Sequence, residues 1–115
     1  MREDLEANGG AIAWMGPTPV GCLRYDVQAG HLHVRRVAVP PDRRLAGIGT
    51  ALMAWAHRYA RSQGLREVRL GVRVQLPGNV AFYKKLGYEV IGSHRHPLNR
   101  RVFWREMRLR LGDST

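Results

Sequence analysis

One cysteine, Cys22, is all the chain has. No internal disulfide is possible, so the fold cannot rest on a covalent framework, and a reducing, cytoplasmic setting is expected. Cys22 lies inside a strand pattern and reads as a small core residue rather than a nucleophile. Lysine is almost as scarce. Lys84 and Lys85 stand beside seventeen arginines, and only nine acids oppose them, leaving a formal charge of +10. That balance favours anionic partners: nucleic acid, phosphates or a polyanionic cofactor. The arginines are spread along the chain and no nucleic-acid motif gathers them, so a nucleic-acid partner is not expected. No apolar run approaches the ~20 residues that cross a bilayer, so no membrane partner is expected either. Residues 1–8 hold three acids among the first six and no apolar stretch, which argues against a secretory leader.

With 115 residues, 44% of them hydrophobic, the composition fits one domain over residues 1–115, with 1–8 a tail and 9–111 a folded core. Three short strands are expected first, over 11–15, 20–28 and 31–39. Gly16-Pro17-Thr18-Pro19 and Ala29-Gly30 turn between them, and Pro40-Pro41 closes the third. The period then changes. Ile48, Leu52, Trp55, Ala56 and Tyr59 fall three or four apart, predicting a helix over 47–63 that stops at Gly64. Val68, Leu70, Val72 and Val74 alternate with Glu67, Arg69, Gly71 and Arg73 as a half-buried strand. A short helix follows from Pro77-Gly78-Asn79, with Asn79 as its cap, and ends at Gly87. Strands over 88–93 and 102–111 finish the chain, joined around residues 96–99. A strand–helix–strand–helix–strand centre demands parallel pairing, and the flanking hairpins demand antiparallel edges. The predicted fold class is α/β (α+β): one mixed, mostly antiparallel sheet with packed helices.

The junction between the third strand and the first helix carries the chemistry. Gly47 and Gly49 open a strong helix pattern, where glycine costs about 1 kcal/mol relative to alanine. A helix N-terminus presents unpaired N–H groups and the positive end of the helix dipole. Glycines there let a diphosphate approach the backbone without meeting a Cβ, and Arg43 and Arg44 add charge at the rim. On these residues alone two readings stand: a phosphate cradle, or a glycine-rich turn into a helix with no ligand. The segment is not a Walker loop, since no Gly-Lys-Ser/Thr follows, and it lacks the third glycine of a dinucleotide fingerprint.

Arg44, Gly47 and Gly49 resemble motif A of the GNAT superfamily of N-acyltransferases: Arg or Gln, two residues, Gly, one residue, then Gly or Ala. A second segment, Asn79-Val80-Ala81-Phe82-Tyr83-Lys84-Lys85-Leu86-Gly87-Tyr88-Glu89, resembles the family's Asn-x-x-x-x-Tyr-x-x-x-Gly-Phe/Tyr stretch, with one residue fewer between Asn and Tyr. The two stand in family order with a helix and a strand between, and the resemblance covers residues 9–111.

The resemblance implies a GNAT-like fold whose two central parallel strands splay apart around acetyl-CoA. It implies that Val37, Ala38 and Val39 run along the pantetheine arm, with the Val39 N–H polarising the thioester carbonyl. The pyrophosphate would take amides from Arg44, Leu45, Ala46, Gly47, Ile48, Gly49 and Thr50, with Arg43 nearby. Asn79, Phe82, Tyr83 and Lys85 would complete the acetyl-CoA site. Tyr83 matches the tyrosine that returns a proton to the departing thiolate, a match of pKa ~10 to ~8.5. His33 aligns with the position where relatives carry an acidic base, and its ordinary pKa near 6.5 suits that task. His94 and His96 are weaker candidates. No metal is implied.

Relatives begin with a strand and two helices that wall the acceptor pocket. This chain starts almost at the meander, as a short form lacking most of that strand and both helices; either the acceptor site is open, a partner subunit supplies the wall, or the true start lies upstream. A bare sheet face would be an apolar patch and favour a homo-oligomer, a dimer. The expected function is therefore N-acetyl transfer from acetyl-CoA to a primary amine of a small molecule or protein. A non-catalytic acyl-CoA-binding module is the alternative, with a basic nucleic-acid-binding domain behind it.

Overall fold

The computed structural model describes residues 2–6, 9–40, 47–73, 77–95, 98 and 103–112. Strands β1 (Arg2–Glu6), β2 (Gly10–Met15), β3 (Thr18–Gln28) and β4 (His31–Ala38) precede helix α1 (Ile48–Ser62). Strand β5 (Glu67–Arg73), helix α2 (Pro77–Lys85) and strands β6 (Glu89–Arg95) and β7 (Phe103–Arg110) follow. The strands form one sheet in the order β1-β2-β3-β4-β5-β7-β6. Among the described residues only β4 and β5 pair in parallel.

Residues 2–6 are not a tail. They pair antiparallel with β2, from Arg2↔Trp14 to Glu6↔Gly10. Their sequence, Arg-Glu-Asp-Leu-Glu, has no apolar alternation, so only pairing with β2 reveals it as an edge strand.

The 3.6-residue pattern predicted for α1 holds. Ile48, Leu52, Met53, Ala56 and Ala60 are buried, and Gly64 follows in the left-handed region at φ +73°. This face packs on Val20, Leu23, Leu32, Val34, Val68, Leu70 and Met107. Gly21 lets α1 come close to β3: a Cβ there would stand 2.9 Å from Ile48 Cγ2 and 3.2 Å from the Ala38 carbonyl oxygen. Val80, Phe82, Tyr83 and Leu86 of α2 lean on the same core, so both described helices lie on one face of the sheet.

Two irregularities shape the centre. The pairing of β4 with β5 covers only His31↔Glu67 to Val34↔Leu70. Beyond that point β4 runs four residues and β5 three, and the strands part. The second irregularity is a bulge in β4, since Tyr25 pairs with Val34 but Arg24 pairs with Arg36. Arg35 is the extra residue. It turns Arg35 and Arg36 together onto the helix-free face and returns Val37, opposite buried Leu23, to the helix face.

The expectation of an apolar bare face is not met among the described residues. The pairing register gathers His31, His33, Glu67, Arg69, Glu106, Arg108 and Glu89 there. Arg69 donates to Glu67 at 2.8 Å, and Arg108 reaches both Glu89 at 2.7 Å and Glu67 at 3.5 Å. These guanidinium contacts, led by the Arg69 hydrogen bond, hold the Glu67 carboxyl below its ordinary pKa. Exposed pairs of this kind add little stability, but they let a sheet face meet water. The large exposed apolar side chains, Met15, Val27, Val90 and Leu98, form no run in sequence.

Candidate active site

The parting of β4 and β5 opens the sheet. A cleft of about 920 Å³ wraps the end of β4, lined by Arg36, Val37, Ala38, Val39, Gly47, Gly49, Thr50, Asn79, Phe82 and Tyr83, with Ile12, Pro19 and Cys22 on its far wall. A second space of about 490 Å³ lies in the split itself, between Val34–Val37 and Leu70–Arg73, with Trp104 at its edge. Arg36, Val37, Asn79 and Tyr83 line both. The two spaces therefore meet beside the Tyr83 hydroxyphenyl group.

Local sequence explains each wall. Helix α1 opens on Gly47 at φ 73°, a left-handed conformation that few residues other than glycine adopt easily. Among the described residues, no side chain caps the α1 N-terminus and no acid stands in its first turn. Gly47, Gly49 and Thr50 of this end line the larger cleft, and no described carboxylate answers its first amides. A Cβ on Gly49 would lie 3.5 Å from Phe82 Cζ, so a longer side chain there would fill the space between the helices. Pro77 begins α2, where its fixed φ and missing N–H cost nothing. Asn79 is thus the third residue of the helix rather than its cap. It is exposed and lines both spaces.

Tyr83 is held from behind. Its ring meets Phe82 edge-on at 5.0 Å and Tyr88 edge-on at 5.6 Å. Burial raises the Tyr83 hydroxyl above its ordinary pKa, keeping it protonated at neutral pH. Behind it, the Tyr88 hydroxyl lies 2.8 Å from His57 Nε2 of α1. Burial, then the charges of Arg61 and Arg58, lowers the pKa of His57 to about 4. A neutral imidazole accepting the Tyr88 O–H fits both groups, since burial also pushes the Tyr88 hydroxyl far up.

This pair fixes the sign of a pH effect. Unfolded histidine titrates near ~6.5. Between there and about 4 the unfolded chain takes a proton that folded His57 refuses, so stability falls as the pH drops through that window, by at most about 1.4 kcal/mol per pH unit. His57→Gln is expected to flatten the dependence of melting temperature on pH between 6.5 and 4, read by circular dichroism. An unchanged slope would contradict the burial of neutral His57.

Not every residue singled out in the sequence reaches the clefts. Arg43, Arg44, Leu45, Ala46 and His96 lie outside the described residues. The Ile48 side chain is in the core, 1% exposed. Lys85 is exposed and lines neither space. His33 also lines neither. It stands on the helix-free face opposite Asp26 and Arg69, one pair before the strands part. Its imidazole lies below its ordinary pKa, first through burial and then through His31, and so is neutral at pH 7. His94 lies 3.3 Å from Glu106 on the outer strands. Cys22 is half-buried on a cleft wall rather than in the core. Arg35, Arg36, Arg73 and Trp104 were missed. One signal was present in the sequence: Val34 and Val37 stand three apart, and only a bulge at the intervening arginines puts both on one face.

The geometry agrees with what is known of other proteins. Residues 2–88 match the sequence profile of the acetyltransferase (GNAT) family. An uncharacterized N-acetyltransferase of Methanocaldococcus jannaschii is 46% identical over 91 residues, covering 73% of this chain and 40% of that protein. The chain thus spans less than half the length of that relative. Among solved structures, Ard1 from Thermoplasma volcanium superposes with a TM-score of 0.84 at 22% identity, over 91% of this chain and 72% of that one. An aminoglycoside 6'-N-acetyltransferase complexed with coenzyme A gives 0.80 at 18% identity, over 92% and 74%. These two likenesses establish the fold: the mixed sheet with its splayed parallel pair. With the profile match over most of its length, the chain belongs to the acetyltransferase (GNAT) family.

Proposed function

We propose that this chain transfers the acetyl group of acetyl-CoA to a primary amine. The observation that carries the reading is the split between β4 and β5, with Tyr83 lining both of the spaces that meet there. The larger cleft suits acetyl-CoA. The uncapped α1 N-terminus with Gly47, Gly49 and Thr50 would receive the pyrophosphate. Val37, Ala38 and Val39 line the larger cleft beyond the point where β4 and β5 part, and this stretch would run along the pantetheine arm, as an added strand would. Asn79 and Phe82 would close over that arm.

Acetyl-CoA supplies an acyl group activated as a thioester. Tyr83, protonated and buried, is placed to give its hydroxyl proton to the departing sulfur. Desolvation that raises the tyrosine also raises a thiolate in the same cleft, so the two remain matched. His33, neutral at pH 7 and on the acceptor side, would take the proton of the attacking amine through water.

Acetyl-CoA is expected to raise the melting temperature in a saturable manner, by the equivalent of about 2.7 kcal/mol at a hundred times its Kd. No shift at millimolar ligand would remove this reading.

A further inference from the structure

We infer that the amine acceptor is a small molecule bearing a carboxylate or phosphate, held on the helix-free face by Arg36 and Arg73. The inference rests on the acetyl-transfer reading and names the substrate class of the same site.

The space in the split is small, about 490 Å³, within the range of small-molecule sites. Among the described residues, three arginines line it, Arg35, Arg36 and Arg73, and no acid does. The bulge in β4 is what places two of them side by side. Their partners differ. Arg35 meets Asp26 at 3.4 Å, both well exposed, and that contact is weak. The Arg73 guanidinium sits 5.3 Å over the Trp104 ring. Stacking fixes its plane and leaves its edge free to donate two parallel hydrogen bonds. Arg36 makes no ion pair among the described residues.

The rest of this face is built otherwise. Arg69 and Arg108 are answered by Glu67 and Glu89, and His94 by Glu106. Acids thus answer Arg69, Arg108 and His94 away from the split, whereas at the split, among the described residues, only Arg35 has an acid, the exposed Asp26. Like charges crowded there repel one another, and an anion relieves them. The pyrophosphate of acetyl-CoA is not that anion, because its expected amides at Gly47 to Thr50 line the other space. An anionic group on the acceptor fits: the guanidinium edges clamp it in bidentate fashion and leave its amine at the junction beside Tyr83. The same charges repel a polyamine or any other polycationic acceptor.

The experiment measures kcat/KM at saturating acetyl-CoA for matched amines: an amino acid against its amide, and a phosphate-bearing amine against the corresponding amino alcohol. The anionic member of at least one pair is expected to be preferred by about tenfold or more, and the favoured pair separates carboxylate from phosphate. Arg73→Gln and Arg36→Gln should bring that ratio close to one, chiefly through acceptor KM. Arg58→Gln, on the exposed side of α1, should leave it unchanged. Equal or faster turnover of the neutral partners in both pairs would overturn the inference, as would faster turnover of a peptide amine than of any small anionic one. If no amine releases thiol, the transfer reading fails by itself. Calorimetry of the same acids and amides with the CoA-saturated protein then decides the anion site. Tighter binding of the acid, lost in Arg73→Gln, supports it, and equal binding overturns it.

Discussion

Tyr83→Phe is expected to lower kcat by about a hundredfold or more, the range of a lost general acid, while the affinity for acetyl-CoA changes little. The substitution removes one oxygen and keeps the ring. The edge-on contacts with Phe82 at 5.0 Å and Tyr88 at 5.6 Å are made by the ring, so α2 and the cleft wall stay in place. The lost group is the hydroxyl of the half-buried tyrosine that lines both spaces. Without it the sulfur leaves as an unprotonated thiolate. Steady-state rates with a good acceptor, alongside the thermal shift with acetyl-CoA, separate the two effects. An unchanged kcat would take the acid role from Tyr83. A lost thermal shift would make it a binding residue instead.

Gly49→Glu is expected to abolish the thermal stabilisation by acetyl-CoA. The new side chain begins 3.5 Å from Phe82 Cζ and brings a carboxylate to the amides reserved for the pyrophosphate. Charge repulsion and lost space act together. Helix stability does not confuse the result, since an acid in a first turn favours the helix by about 0.3–1 kcal/mol. The variant should therefore fold and melt near the wild-type temperature without ligand, yet show no shift with it. A full shift in this variant would move the phosphate site away from α1.

The parts of the fold legible in the sequence were those governed by local period and punctuation. Helix α1, its stop at Gly64 and the alternation of β5 follow from where Leu52, Ala56, Val68, Leu70 and Val72 fall. The order of elements then forces β4 and β5 to pair in parallel. What stayed hidden depends on partners distant in the chain. Strand β1 carries too few apolar residues to announce itself and is defined by its pairing with β2. The helix-free face was expected to be apolar. The register instead lines up Glu67, Arg108 and Glu89 there.

The site divides in the same way. Gly47, Gly49, Asn79 and Tyr83 stand in short motifs, and the structure brings them to one cleft. His33 was chosen by alignment to a strand position, and it stands on the helix-free face without lining either space. Trp104 and Arg73 are thirty-one residues apart in sequence and meet only because β5 and β7 pair at Arg73↔Trp104. No local pattern marks that contact, yet both residues line the smaller space.

The most direct test of acetyl transfer is to incubate the protein with acetyl-CoA and a panel of small amines, and to quantify free CoA thiol and acetylated amine together. The expected result is equal amounts of the two, dependent on the amine and strongly reduced in Tyr83→Phe. Saturable acetyl-CoA binding with no acetylated amine from any acceptor would contradict it and leave the chain a binding module.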